Sequence, residues 1–270
     1  MIGEHAIHNG VVIHTTEAVV PVTRREVQFG FSTYESIRII QSHPVHLADH
    51  LVRLAHSCEG IKLVHPFGRE ELTKWVYDLI KTDELGEATM RIQIYGGPEP
   101  QLFITAQKML RYPDSYYTRG VGAITYFGER LVPSCKTGNL LLNYLALEEA
   151  HRQDCFEALL ADRNGRVLEG TRSNFFAFER STLYTASDEL VLLGITRERV
   201  LKAAAQLGFS VVFTAPLLSD LKAGRFDELF ISATSMAAMP LARLDDRSYS
   251  GPYAKTLAIR DLVRSWELED

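Results

Sequence analysis

The sequence predicts an α/β fold in two lobes. Three observations lead there. At 270 residues the chain can bury one large core or two smaller ones. Short strand-like runs are interleaved with longer stretches of helical spacing. Between Arg111 and Gly120 the chain turns polar, with Pro113, Asp114 and Ser115 together, which marks a junction. The expected lobes are a smaller N-terminal α/β domain over residues 1–115 and a larger C-terminal one over 116–270.

The elements follow in order. Asn9-Gly10 between short apolar runs predicts a hairpin turn, with Val11 to Ile13 as the following strand. Glu35 to Ile40 alternates as a strand does. Leu47 to Leu63 has helical spacing, with Leu47, Leu51, Leu54 and Cys58 on one face. Glu70 to Ile80 repeats that pattern through Leu72, Trp75, Val76 and Leu79. Arg91 to Tyr95 and Leu102 to Thr105 are strand-like and flank the turn-rich Gly96 to Pro100. In the second half, Asn139 to His151 is helical. Ala158 to Ala161 and Arg166 to Leu168 are strands joined through Asn164-Gly165. Arg197 to Leu207 is a helix with Thr196 as its cap and Gly208 as its stop. Leu229 to Ser232 is a short buried strand.

Composition excludes several classes. The net charge of −5 comes without any long basic block, which argues against nucleic acid as a partner. No apolar stretch is long enough to span a membrane, and the N-terminus lacks the pattern of a signal peptide. The three cysteines, Cys58, Cys135 and Cys155, are odd in number and far apart, so neither a disulfide framework nor a cysteine metal site is indicated. His46 and His50 have helical ligand spacing, but no third ligand accompanies them, so no metal is expected. The balance suggests a reduced, cytoplasmic protein.

The chemistry concentrates in four segments. Lys136 lies among small and apolar residues, Ser134-Cys135-Lys136-Thr137-Gly138-Asn139, just ahead of a helix. Glu169 follows in Leu168-Glu169-Gly170-Thr171-Arg172-Ser173-Asn174. Next come Leu192-Leu193-Gly194-Ile195-Thr196-Arg197 and Phe230-Ile231-Ser232-Ala233-Thr234-Ser235. An aldehyde cofactor needs an amine for a Schiff base, which lysine supplies when burial or nearby cations lower its pKa. Its pyridine nitrogen needs an acidic partner. Its phosphate needs the amides of a helix start, hydroxyls and an arginine. The helix after Thr196, the Thr234 hydroxyl and Arg53 can supply these. Singly, such a lysine or glutamate is usually solvated surface, and Gly-Ile-Thr is an ordinary helix entry. Their order is the specific signal, and it suggests a pyridoxal phosphate site.

The set resembles the class IV aminotransferases, the pyridoxal phosphate enzymes of fold type IV. That family includes branched-chain and D-amino acid aminotransferases and aminodeoxychorismate lyases. The resemblance runs from about Val27 to about Arg243. Gly30 to Arg38 is similar to the family's Gly-x-x-x-Phe/Tyr-Glu strand, and His46 to Leu54 to its first helix, whose arginine binds the cofactor phosphate. The resemblance implies the D-amino acid aminotransferase-like fold, with the cofactor between the lobes. It makes Lys136 the Schiff-base lysine of the C-terminal lobe and Glu169 the partner of the pyridine nitrogen. Leu192 packs on the ring, and Arg53, Ile195, Thr196 and Thr234 hold the phosphate. It further implies at least a homodimer and two small partners, an amino acid and a 2-oxo acid.

Signals for the substrate conflict. The Arg-x-His of D-amino acid aminotransferases is replaced by Ile94 to Glu99. The Tyr-x-Arg of branched-chain enzymes is Thr89-Met90-Arg91, which keeps only the arginine. Leu141 follows the D-amino acid group. A substrate carboxylate still needs a cation, for which Arg172, Arg91, Arg24, Arg25 and Arg38 are the candidates. The expected activity is amino-group exchange between a branched-chain-like or D-amino acid and a 2-oxo acid. The alternatives are pyruvate elimination by an aminodeoxychorismate lyase and cofactor binding without catalysis.

Overall fold

The computed structural model describes residues 2–269 and divides into two compact units. The first takes in the chain up to Leu110, with Cys135–Asn139 and the residues from Glu267 onward. The second takes in Arg111–Ser134 and Leu140–Trp266. The stretch around Lys136, placed by the sequence in the C-terminal lobe, therefore groups with the first unit.

The first unit is one antiparallel sheet backed by two helices. Its elements are β1 (His5–His8), β2 (Val11–His14), α1 (Arg25–Gln28), β3 (Ser32–Ile40), β4 (His43–Pro44), α2 (Leu47–Gly60), α3 (Arg69–Thr82), β5 (Glu87–Tyr95) and β6 (Gln101–Gln107). The strand order is β2-β1-β6-β5-β3-β4. Asn9 and Gly10 both take positive φ (47° and 87°), as a two-residue hairpin requires. Alternation puts Ile37, Ile39, Met90, Ile92, Ile94 and Ile104 against Leu51, Leu54, Val76 and Leu79 of the helices. The opposite sheet face carries half-buried Tyr34, Ser36 and Arg38 of β3 beside Gln93, Arg91 and Thr89 of β5. α2 stops at Gly60, short of the expected Leu63. Lys62 turns left-handed (φ 56°), and the Leu63 amide reaches back to the Cys58 carbonyl (2.8 Å).

The second unit is built on a closed run of strands. It contains α4 (Asp114–Arg119), β7 (Val121–Phe127), α5 (Leu141–Arg152), β8 (Glu157–Ala161), β9 (Val167–Gly170), β10 (Asn174–Glu179), β11 (Thr182–Thr185), α6 (Ile195–Gln206), β12 (Ser210–Phe213), α7 (Leu218–Ala223), β13 (Glu228–Ala233), β14 (Ala237–Leu244), β15 (Arg247–Ser248) and α8 (Ala254–Ser265). The sheet runs β12-β11-β10-β13-β14-β7-β8-β9, and β9 pairs back onto β10 at Glu169 and Asn174. One core gathers Val121, Leu159, Phe175, Leu229, Met239 and Leu241. A second packs Phe176, Phe178 and Phe230 beneath Val200 of α6 and Ile259 of α8. α5 lays Ala146 and Ala150 on Ile124 and Leu160. α6 begins one residue before the expected Thr196 cap: Gly194 is the N-cap, and no side chain caps it. Gly208 does end it, at φ 79°. Among the described residues, no helix is long and apolar enough to cross a membrane.

Candidate active site

In the first unit, Lys136 is fixed through its backbone. β4 pairs only with Ile39 and Ile40, so the first residues of β3 keep an open edge there. The lysine segment fills that edge. The Tyr34 amide donates to the Lys136 carbonyl (3.1 Å), the Gly138 amide donates to the Ser32 carbonyl (2.8 Å), and Thr137 bridges Thr33. The Lys136 amide donates to Ser57 Oγ of α2 (3.0 Å). The Cys135 thiol fills the space that a side chain on Gly60 would need. So held, the half-buried Lys136 amine lies 4.5 Å from the Tyr34 ring centre. Among the described residues no carboxylate pairs with it.

α2 supplies a second anchor from the face that also carries Ser57. Glu35 of β3 is fully buried. Arg53 forks onto it, Nε to Oε1 at 2.8 Å and Nη2 to Oε2 at 2.6 Å, and His50 Nδ1 donates to Oε2 at 2.7 Å. Burial alone would raise the Glu35 pKa. The Arg53 charge and hydrogen bonds, with a smaller share from His50, overcome that and hold it at about 2. Burial lowers the pKa of His50, so the ring is neutral at pH 7 and keeps its Nδ1 hydrogen for Glu35. The Arg53 guanidinium is thereby locked in one orientation.

In the second unit, Glu169 at the end of β9 is buried and accepts the Leu192 amide on Oε2 (3.1 Å). Arg130 Nη1 donates to its Oε1 (3.3 Å) and to the Pro133 carbonyl (2.7 Å). Asn174 stands opposite Glu169 on one side and Ser232 on the other, and its Nδ2 donates to the Leu192 carbonyl (2.8 Å). Leu192 is thus pinned at both peptide groups. A Cβ on Gly194 would fall 2.2 Å from Asn174 Oδ1, which explains glycine at the α6 N-cap. With no side-chain cap, the amides of Ile195, Thr196 and Arg197 have no acceptor within the helix. Thr234 leaves β13 in a turn tied down by three contacts. Arg264 Nη2 donates to the Ser235 carbonyl (2.9 Å), the Tyr117 hydroxyl donates to the Met236 carbonyl (3.3 Å), and the Tyr112 hydroxyl meets Ser235 Oγ (3.3 Å).

The five arginines named as carboxylate clamps are placed very differently. Arg24 Nη2 donates to the carbonyls of Gly96 (3.2 Å) and Glu99 (2.8 Å), strapping that turn. Exposed Arg25 lies over Phe29. Arg38 pairs with Glu267 at 2.6 Å. Arg91 stacks 3.9 Å from the Tyr34 ring centre and donates Nε to Gln93 Oε1 (2.9 Å). Arg172, with its side chain 41% exposed, lies 3.9 Å by Nε from Glu157 Oε2 and 5.1 Å from the Phe156 ring centre. The sequence does not single out Ser57, Arg130 or Glu157, and in it Tyr34, Glu35 and Asn174 enter only as members of motifs and His50 as a discounted metal ligand. Glu157 could have been found as a single charge heading the apolar run Ala158–Ala161.

Taken unit by unit, the donors fit pyridoxal phosphate. One unit offers an amine that no carboxylate of the described residues pairs with, and an oriented guanidinium. The other offers a buried carboxylate, an uncapped helix start and hydroxyls. Comparison with known proteins agrees. The family model for amino-transferase class IV matches residues 32–244. The D-alanine aminotransferase of Bacillus licheniformis is 29% identical over 93% of this chain and 93% of its own. A putative branched-chain-amino-acid aminotransferase of Methanocaldococcus jannaschii is 30% identical over 88% and 87%. The branched-chain aminotransferase of Thermoproteus uzoniensis, solved with norvaline, superposes with a TM-score of 0.88 at 26% identity, over 99% and 97% of the two chains. By sequence, fold and donor set, the chain belongs to the class IV aminotransferases, the pyridoxal phosphate-dependent transaminases of fold type IV.

Proposed function

We propose that this transaminase acts on an amino acid and a 2-oxo acid whose carboxylates bind Arg172. Its cofactor-binding residues in this reading are Lys136 and Arg53 of the first unit and Glu169, Leu192, Ile195, Thr196 and Thr234 of the second. When bound, pyridoxal phosphate supplies an aldehyde that exchanges amino groups and a ring that takes up carbanion charge. Lys136 would hold the aldehyde and would move the proton at the substrate Cα. Glu169 holds a proton on the ring nitrogen. Arg53 and the amides opening α6 bind the phosphate. Leu192, pinned between Glu169 and Asn174, would pack on the ring and keep water from it. The observation that carries this reading is Lys136 itself, a half-buried lysine with a fixed backbone and, among the described residues, no carboxylate partner.

The substrate class follows the relatives, D-alanine and branched-chain aminotransferases. The test is the absorbance spectrum of purified protein with pyridoxal phosphate, before and after D-alanine or L-leucine. Conversion of the cofactor to its amine form by one enantiomer fixes the stereochemistry. No cofactor band at all would sink the reading.

The active molecule is a homodimer in this reading. Exposed Leu141, Tyr144 and Leu145 form an apolar stripe on α5, spaced to lie on one helix face and suited to a second copy. A monomer in light scattering at micromolar concentration would contradict it. Three buried cysteines, none in a disulfide among the described residues, favour a reducing compartment such as the cytoplasm.

A further inference from the structure

Arg172 sits on a loop organised by one buried carboxylate. Glu157, at the head of β8, is fully buried. Its Oε1 accepts the Thr171 hydroxyl (2.5 Å), the Thr171 amide (3.2 Å) and the Ala158 amide (3.0 Å). Its Oε2 accepts the Ser173 hydroxyl (3.0 Å) and faces Arg172 Nε at 3.9 Å. The residues on both sides of Arg172 are therefore bonded to the carboxylate that faces Arg172 itself. From outside the loop, Asn143 Nδ2 donates to the Thr171 carbonyl (2.5 Å).

The preceding residue completes the seat. Phe156 lies under the Arg172 guanidinium and packs edge-on against Tyr112 (5.3 Å) and Tyr116 (5.7 Å). Tyr112 in turn reaches Ser235, next to Thr234. Two consecutive residues thus address two parts of one arginine, the charge of Glu157 at Nε and the ring of Phe156 at the guanidinium plane. Among the described residues nothing else pairs with Arg172. Its two terminal nitrogens remain available for a bidentate hold on a carboxylate.

We infer that Glu157 and Phe156 are positioning residues that orient Arg172 for a ligand carboxylate, and so help set this enzyme's substrate affinity; the inference rests on the reading of Arg172 as the clamp. A guanidinium held in advance loses little freedom when the ligand arrives. Glu157 also lies one strand from Glu169, because β8 and β9 are paired. The loop it organises therefore begins at the proposed partner of the cofactor ring and ends at Asn174.

The test is a double-mutant cycle on the loaded enzyme. Glu157→Gln keeps the shape and an acceptor for Thr171 but removes the charge. It should raise KM for amino acid and oxo acid together by roughly tenfold, with kcat and the affinity of the apo-protein for pyridoxal phosphate unchanged. In an Arg172→Ala background the same change should add nothing. An equal rise in both backgrounds would make Glu157 a general structural residue and overturn the inference. So would an unchanged KM in Glu157→Gln when Arg172→Ala raises it. An unchanged KM in Arg172→Ala would instead remove the clamp reading beneath. Should Glu157→Gln not fold, Phe156→Leu replaces it in the cycle: KM should rise roughly threefold in the parent and not in Arg172→Ala. No rise in the parent overturns the inference.

Discussion

Replacing Glu35 by glutamine should destabilise the first unit by about 3 kcal/mol at neutral pH. The magnitude comes from the carboxylate itself. Burial opposes its charge, yet Arg53 and His50 bring its pKa from 4.5 down to about 2. At about 1.4 kcal/mol per pH unit this is about 3 kcal/mol of folding free energy held by the ionised group. The figure matches the usual cost of breaking a buried ion pair, because Arg53 and His50 would stay buried with a poorer partner. The sign with pH follows. A carboxylate whose pKa is depressed by folding contributes fully above its unfolded pKa of 4.5, and loses that contribution as pH falls toward about 2. His50 adds to the same trend. Its pKa is also lowered on folding, so the unfolded chain takes up a proton below 6.5 that the native one refuses. Stability should therefore begin to fall below pH 6.5 and drop more steeply below 4.5. Urea unfolding at pH 7, 5 and 4, followed by Trp75 fluorescence in a Trp266→Phe background, reads it directly, since Trp75 packs on this core. Wild-type stability in Glu35→Gln at pH 7, or a flat profile from pH 6.5 to 4 in the parent, would refute the reasoning.

Three further outcomes test the frame around the site. Lys136→Ala should abolish turnover while unfolding free energy stays within about 0.5 kcal/mol of the parent, and near-normal activity would rule out the assignment. Gly60→Ala places a Cβ 2.3 Å from the Cys135 thiol. It should lower kcat by displacing the neighbouring lysine, and adding Cys135→Ala should restore it; a fully active single variant would show the lysine segment to be less constrained. Asn174→Ala removes the bond to the Leu192 carbonyl. It should weaken pyridoxal phosphate binding by roughly tenfold in a titration of apo-protein, and an unchanged affinity would separate Leu192 from the cofactor.

Much of the first unit was legible because its sheet has two different faces. One face of β3 and β5 meets the helices and the other is only half-buried, so polar and apolar residues alternate where a period-two search expects them. β10 shows why the second unit was harder. Asn174-Phe175-Phe176-Ala177-Phe178 is buried on both faces, Phe175 in one core and Phe176 and Phe178 in another, so the alternation disappears. Its hairpin at Asn164-Gly165 was found by turn chemistry alone. The lysine segment went to the wrong neighbour for a related reason. It belongs to no regular strand, and its place at the open edge of β3 comes from pairing across a hundred residues of chain, which no local pattern records. Helix-end chemistry misled by two positions at α6. The close approach of Asn174 admits only glycine at the cap, and so pushes Thr196 into the first turn.

The choice of carboxylate clamp shows what a structure adds to a list of residue types. In sequence, the five arginines differ only in neighbourhood. A guanidinium that must hold a carboxylate by both terminal nitrogens needs those two uncommitted, and commitment is a matter of geometry. Arg24 spends its donors on two carbonyls of a turn, and Arg38 spends its charge on Glu267. Arg91 lies over the Tyr34 ring, which Lys136 also faces, and donates its Nε to Gln93. Arg25 rests on exposed Phe29, and among the described residues no other side chain orients it. Arg172 combines an engaged Nε edge, a supported plane and substantial exposure. Orientation that leaves both terminal nitrogens open is the property a substrate clamp requires, and it rests on residues 156, 157, 171 and 173, whose own composition announces nothing about anions.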